Sequence, residues 1–204
     1  LKDLGYGTGL FRTPPYCAVK VPVFSFEKLS DANSILGPEM KSTGECLGIA
    51  ESFNEALYKA FQGAGIQLPK YKNMVVTVKD EDKEDIVPIV RRFVDVGYRV
   101  FATRGTYNVL KDAGVKCYMV RKVEQESPNI LDLVLGHELD IIIDTPREGA
   151  EASKDGFIIR RNAIETGVNV LTAIDTAEAL ATSLENKASE ISLIDIATID
   201  KRGK

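Results

Sequence analysis

The chain of 204 residues has a single histidine, His137. One histidine removes a His-based catalytic triad and a multi-histidine metal site, and leaves His137 a surface or helix-end role. Cysteine is sparse as well: Cys17, Cys46 and Cys117 are odd in number, far apart and without C-x-x-C spacing. They fit free thiols in a reducing cytoplasm, acting as small buried hydrophobes. A basic excess is missing. With 26 Lys+Arg against 30 Asp+Glu the formal charge is −4, which leaves no surplus to hold polyanionic nucleic acid. Apolar runs such as "LDLVL" and "LDIII" contain acids and are far shorter than a membrane span. No positively charged segment precedes an apolar one in the manner of a secretory signal. No G-x-G-x-x-G follows a predicted strand, which argues against a dinucleotide-binding module.

What is present divides into two unlike parts. Hydrophobic content of 44% and charged content of 27% are ordinary for a globular chain. Residues 1–70 read as irregular. "LGYGTGLFRTPPY" is punctuated by glycine and proline, "CAVKVPVFSF" is an extended strand with Pro22 marking an edge or bulge, and "EKLSDANSILGPEMKSTGE" is loop-like. Only Ser52–Gly65 reads clearly as a helix, with Ser52 as its cap, Glu55 completing a capping box and "GAG" ending it. One strand and one helix cannot bury a core, so this part looks like the edge of a larger domain. The chain opens on Leu1 rather than Met, and the expectation is a fragment.

Residues 71–204 are periodic, with "QLPKYKN" as the linker ahead of them. Apolar runs at "NMVVTV", "YRVFAT", "KCYMV", "LDIIID" and "NVLTA" alternate with helices predicted to start near Glu81, Thr106, Asn129, Phe157 and Asp175. That alternation predicts an α/β fold: βαβ units, a buried parallel sheet and helices on both faces.

In such a sheet ligands sit outside the carboxyl ends of the strands. Those ends read "TVKDEDK", "ATRGT", "VRKVE" and "IDTPREG", rich in hydroxyls and in the cations Lys79, Lys83, Arg104, Arg121 and Lys122. Lys83 falls in the first turn of a helix, where the macrodipole disfavours a cation unless an anion binds there. The ordinary alternative is neutralisation by Asp80, Glu81, Asp82 and Glu84. In "TRGT", Gly105 permits close backbone approach, the following helix offers unpaired N–H groups, and Thr103 and Thr106 add hydroxyls. The ordinary alternative is Thr106 as a cap. A phosphate is the simplest ligand that uses all of these features.

Here the residues match a known family. "LGPEMKSTGE" resembles the segment closing the second ATP-grasp half of the large chain of carbamoyl-phosphate synthetase. "VKDEDKE", "FATRGT", "RKVEQESPNILD", "IIIDTP" and "IIRRNAIETGVNVLTAIDTAEAL" follow that family's regulatory domain in order. The resemblance implies a methylglyoxal-synthase-like three-layer domain over residues 71–204, preceded by an ATP-grasp remnant over 1–70. It implies an allosteric unit that binds a nucleoside monophosphate such as UMP or IMP. The phosphate contacts would be Lys83, Thr103, Gly105, Thr106 and Lys122, with Asp144 and Thr145 beside them. No catalytic or metal residue and no cofactor is expected in this stretch. ATP and a divalent metal, Mg or Mn, belong to the whole enzyme, as do the rest of the large chain, a glutamine amidotransferase small chain and an oligomeric assembly. The family makes carbamoyl phosphate from bicarbonate, glutamine-derived ammonia and two ATP, for pyrimidine and arginine synthesis.

The match departs from relatives where Asp144-Thr145-Pro146 replaces Asn-Thr-Thr, and where Val21 and Val170 replace a Glu and a Tyr that contact ornithine in some of them. An acid on a phosphate rim opposes the ligand, so Asp144 is expected to face the ribose hydroxyls. Two other readings compete. A methylglyoxal-synthase-type lyase would need a poised carboxylate base, for which Asp144 is the candidate, although the glycine-rich, Asp-bearing loop of that enzyme has no counterpart here. An effector-insensitive structural or oligomerisation domain would leave the rim solvated.

Overall fold

Residues 73–77, "NMVVT", carry β-branched and apolar side chains at every inner position, so both faces of the strand they form must be covered. In the computed structural model, which describes residues 8–10, 13–28, 38–66, 70–146, 153–185 and 191–201, they are. Val75 points into one apolar cluster and Met74 and Val76 into another. The same split recurs along "IIID", where Ile142 opposes Ile141 and Ile143.

Five parallel strands form the main sheet: β3 (Asn73–Thr77), β4 (Arg99–Thr103), β5 (Tyr118–Val120), β6 (Ile141–Asp144) and β7 (Asn169–Leu171), in the spatial order β5-β4-β3-β6-β7. The helices between them are α2 (Lys83–Asp95), α3 (Arg104–Asp112), α4 (Ile130–Leu135) and α5 (Ser153–Glu165), and α6 (Ile174–Glu185) follows β7. Residues of α2, α3 and α6 pack on one face of the sheet and residues of α4 and α5 on the other. All five predicted strands and all five predicted helices are present. Two helices start earlier than expected: α3 at Arg104 and α5 at Ser153. Asn129 caps α4 with a full capping box, in which Asp132 accepts the Asn129 N–H at 2.7 Å. His137 is exposed just past that helix, at φ 55°, the helix-end role expected of it.

The first part of the chain is more ordered than its punctuation suggests. Cys17–Val23 forms β1 as expected, but Gly44–Ala50 forms a second strand, β2, antiparallel to it, with Pro22 opposite Glu45. Thr43 closes the turn, its N–H donating to the Val23 carbonyl at 2.8 Å and its hydroxyl lying 2.8 Å from that of Ser25. Leu36 and Gly37 of "LGPEMKSTGE" lie outside the described residues. Helix α1 (Phe53–Gly63) starts on Ser52, whose hydroxyl accepts the Glu55 N–H. Leu57 and Phe61 of α1 sit in the same apolar cluster as Phe93, Leu180 and Leu184. The core that one strand and one helix lack is thus supplied by a second strand and by α6.

One carboxylate fastens the chain where it enters the main sheet. Asp140 is buried immediately before β6 and accepts the N–H groups of Lys70, Tyr71 and Lys72 at 2.6–3.1 Å. The three cysteines are free and half-buried, not fully buried as expected. No helix among the described residues is long and apolar enough to cross a membrane.

Candidate functional site

The sheet order places a topological switch point between β3 and β6: the chain leaves β3 toward β4 and leaves β6 toward β7. At the carboxyl edge of that point lies a cavity of about 330 Å³. Lys83, Thr103, Gly105, Thr106, Lys122, Asp144 and Thr145, the residues singled out from sequence, all line it. Arg104 and Arg121 do not. Arg121 instead donates to the carbonyls of Glu126 and Ser127, supporting the loop after β5.

The hydroxyls are oriented by the backbone opposite them. Thr106, buried in the first turn of α3, accepts the Val78 N–H at 3.3 Å, and Thr145 accepts the Lys79 N–H at 3.0 Å. A hydroxyl whose lone pair is taken by an N–H keeps its own proton to donate, so the turn after β3 aims two O–H donors by using their oxygens. Thr103 occupies the N-cap position of α3 but makes no cap bond, and donates to Thr77 Oγ1 at 3.1 Å. Thr106 is therefore not the cap that the plainer reading made it.

Lys83 stands at the first position of α2, with its ammonium on the Asp80 carboxylate. Lys79 lies 3.8 Å from Asp82. Part of the neutralisation offered by the acidic run is thus in place. The same ammonium reaches α3: a Cβ on Gly105 would come within 2.9 Å of Lys83 Nζ. Gly105 makes room first for a lysine, and through it for whatever the lysine holds. Lys122 is exposed, its N–H held by Gln125 Oε1 at 3.0 Å.

Asp144 lines the cavity but has a protein partner that sequence did not announce. Its carboxylate is buried and bound by Arg160 Nη1 from the interior of α5. Burial pushes the Asp144 carboxyl up from its usual range, and the Arg160 guanidinium pulls the other way. The pair fits because Gly156 has no side chain: a Cβ there would lie 2.7 Å from Nη1 and 3.2 Å from Asp144 Oδ2. Arg160, Gly156 and Thr77 were missed from sequence. An arginine in an amphipathic helix reads as a solvent-facing residue, and only the pair I-I-R-R, with one arginine adjoining the apolar side, hinted otherwise.

The lining has four cationic side chains (Lys79, Lys83, Lys122, Arg160) against three acidic ones (Glu124, Asp144, Asp155), with an apolar wall that includes Val123, Ile130 and Ile159. No cysteine or histidine lines it. Among the described residues no group of three or more His, Cys, Asp or Glu is placed to hold a metal. Asp144 is engaged by Arg160 and is not a free base. The cavity thus sets hydroxyls and cationic side chains on one side against an apolar wall on the other.

Comparison with known proteins finds two kinds of likeness, to a domain family and to longer chains. The model of the MGS-like domain family matches residues 85–172. The carbamoyl phosphate synthase large chain of Lachnoclostridium phytofermentans is 63% identical over 200 residues, covering 98% of this chain and 19% of that protein. The large chain from Agathobacter rectalis is 56% identical over the same length and coverage. Among solved structures, a methylglyoxal synthase from Elizabethkingia anophelis NUHP1 aligns with 66% of this chain and 93% of its own, at TM-score 0.43 and 18% identity, a distant likeness in path alone. The chain spans about 19% of the length of the curated relatives it matches. In sequence the chain is therefore similar to one part of the large chains of carbamoyl phosphate synthase, and its residues 85–172 match the MGS-like domain family.

Proposed function

We propose that the cavity at the β3–β6 switch point binds a nucleoside monophosphate, UMP or IMP, through its phosphate, and that the chain is the regulatory part of a carbamoyl phosphate synthase large chain. The observation that carries this reading is the pair of threonine hydroxyls, Thr106 and Thr145, whose oxygens are occupied by the Val78 and Lys79 N–H groups beside the Lys83 ammonium. Both hydroxyls line the same cavity as Lys83 and Gly105 from the first turns of α2 and α3, and helix N-termini favour an anion. The volume of about 330 Å³ and the wall of Ile130 and Ile159 suit a small anion with a flat, weakly polar appendage.

In this reading the parts of the large chain beyond this stretch carry the ligase chemistry, using ATP and Mg or Mn, bicarbonate, and ammonia delivered by a glutamine amidotransferase small chain. The product feeds pyrimidine and arginine synthesis. This stretch senses a nucleotide and performs no bond-making step.

The test is calorimetric titration with UMP, IMP and ornithine at fixed salt. UMP or IMP binds, and Lys83→Ala and Thr106→Ala each weaken it by about 1.5–3 kcal/mol, the usual range for hydrogen bonds to a charged group. Ornithine does not bind, because the apolar side chains of Val21 and Val170 cannot hold an ammonium. One observation favours the competing, effector-insensitive reading: Lys83 already has a partner in Asp80. No heat from either nucleotide selects it, whereas binding with unchanged affinity in both variants overturns the assignment of Lys83 and Thr106 to the phosphate.

A further inference from the structure

We infer that Arg160 is a further anion-binding residue of this cavity, able to take two oxygens of a phosphate monoester on its Nε–Nη2 edge, with Asp144 as the residue that positions it. This inference rests on the reading of the cavity as a nucleoside monophosphate site.

Arg160 is 1% exposed and is the largest fully buried side chain among the described residues. Its Nη1 donates to Asp144 Oδ2, while Nε and Nη2 are buried with no acceptor among the described residues. A guanidinium keeps its charge, and a buried donor without an acceptor is destabilising, so such an edge calls for a missing partner. The other orphaned buried polar atoms are Tyr98 Oη and Ser183 Oγ, and neither residue lines the cavity. Arg160 does.

The same edge is used elsewhere in the molecule. Arg92 presents Nε and Nη2 to the two oxygens of Glu185 at 2.8 and 2.6 Å, the side-on fork that carboxylates and phosphates accept. Arg160 has the fork without the oxyanion. At Gly156 a Cβ would lie 2.7 Å from Nη1 and 3.4 Å from Cζ, so the glycine lets the first turn of α5 close directly onto the guanidinium, beside the cavity that both residues line. In the unliganded protein the edge is shielded, and rotation about the outer side-chain torsions brings it onto the bound phosphate. Asp144 holds the guanidinium at the cavity wall until then and competes with the ligand for it. The residue that looked opposed to an anion thereby tunes one of its donors.

The two substitutions that test this are Arg160→Lys, which keeps the charge but not the parallel donors, and Asp144→Asn, which keeps the shape and releases Nη1. The probes are UMP and inorganic phosphate by calorimetry, with phosphorus NMR of bound UMP across pH. Arg160→Lys weakens both probes at least tenfold and raises the pH at which the bound phosphate dianion takes up a proton to become the monoanion, an effect that general loss of packing does not produce. Asp144→Asn tightens both severalfold. Should Arg160→Lys fold poorly, as thermal melts would reveal, the Asp144→Asn result decides. UMP binding to the wild type together with unchanged affinity in the variants that fold overturns the role of Arg160 and leaves the cavity reading intact. A wild type that binds neither UMP nor IMP overturns both.

Discussion

Gly105→Ala separates binding from stability, because the two respond in opposite directions. Gly105 lies in the first turn of α3 and is not among the residues of positive φ, so alanine suits its backbone. Within a helix alanine is favoured over glycine by up to about 1 kcal/mol. The new Cβ would meet Lys83 Nζ at 2.9 Å and Lys83 Cε at 3.5 Å. An ordinary contact begins near 3.4 Å, so the ammonium retreats by about 0.5 Å, at little expense since it is the far end of a flexible side chain. For a phosphate oxygen ~3 Å from the ammonium, that retreat lowers the attraction from ~5.5 to ~4.7 kcal/mol at an effective dielectric of about 20. The difference of ~0.8 kcal/mol is about fourfold in affinity. Titration of UMP into Gly105→Ala should show that loss, while its thermal midpoint equals or exceeds that of the wild type. Unchanged affinity would refute the placement of the phosphate beside Lys83. A drop of several degrees in the midpoint would show that Gly105 serves packing.

Asp140→Ala removes a buried carboxylate that three backbone N–H groups share, and should cost about 2–4 kcal/mol, or ~5–15 °C in the midpoint. UMP affinity should hold, since Asp140 precedes β6 and stands about 13 Å from its cavity end at ~3.3 Å per residue; a midpoint within a degree of wild type would count against the clamp. Glu185 is held below the usual carboxylate range chiefly by its hydrogen bond from Arg92. A depressed folded-state value stabilises above the unfolded value and fades as pH falls through the folded one, so Glu185→Gln should melt lower than wild type at pH 7 and the gap should shrink as pH falls below the ordinary glutamate value of about 4.3. A gap that stays constant as pH falls through that range and below it would refute this.

The main sheet was legible because its strands are buried on both faces. Runs such as "MVV" and "III" admit little else, and the helices between them begin at recognisable caps such as Asn129. β2 was not. "GECLGIA" has two glycines that read as breaks, yet a Cβ on Gly48 would fall 1.9 Å from the Ala56 carbonyl oxygen and 2.6 Å from the Ala60 nitrogen. That glycine records a helix lying directly on the strand, a contact that local pattern cannot announce. The cavity's hydroxyls and lysines were legible because each follows a strand end. The Arg160–Asp144 pair joins residues sixteen apart on different elements; the strand-end position put Asp144 at the site, but no local pattern paired it with an arginine from α5.

Helix α5 bears two adjacent arginines with unlike duties. Arg160 is sealed against the cavity, while Arg161 Nη1 donates to the Phe26 carbonyl at 3.0 Å, across 135 residues of chain. Consecutive helical positions are 1.5 Å apart along the axis and about 100° apart around it. The two guanidiniums therefore leave one stretch of helix in different directions. A single element carries both a wall of the cavity and the tie to the turn at Phe26–Lys28, just after β1.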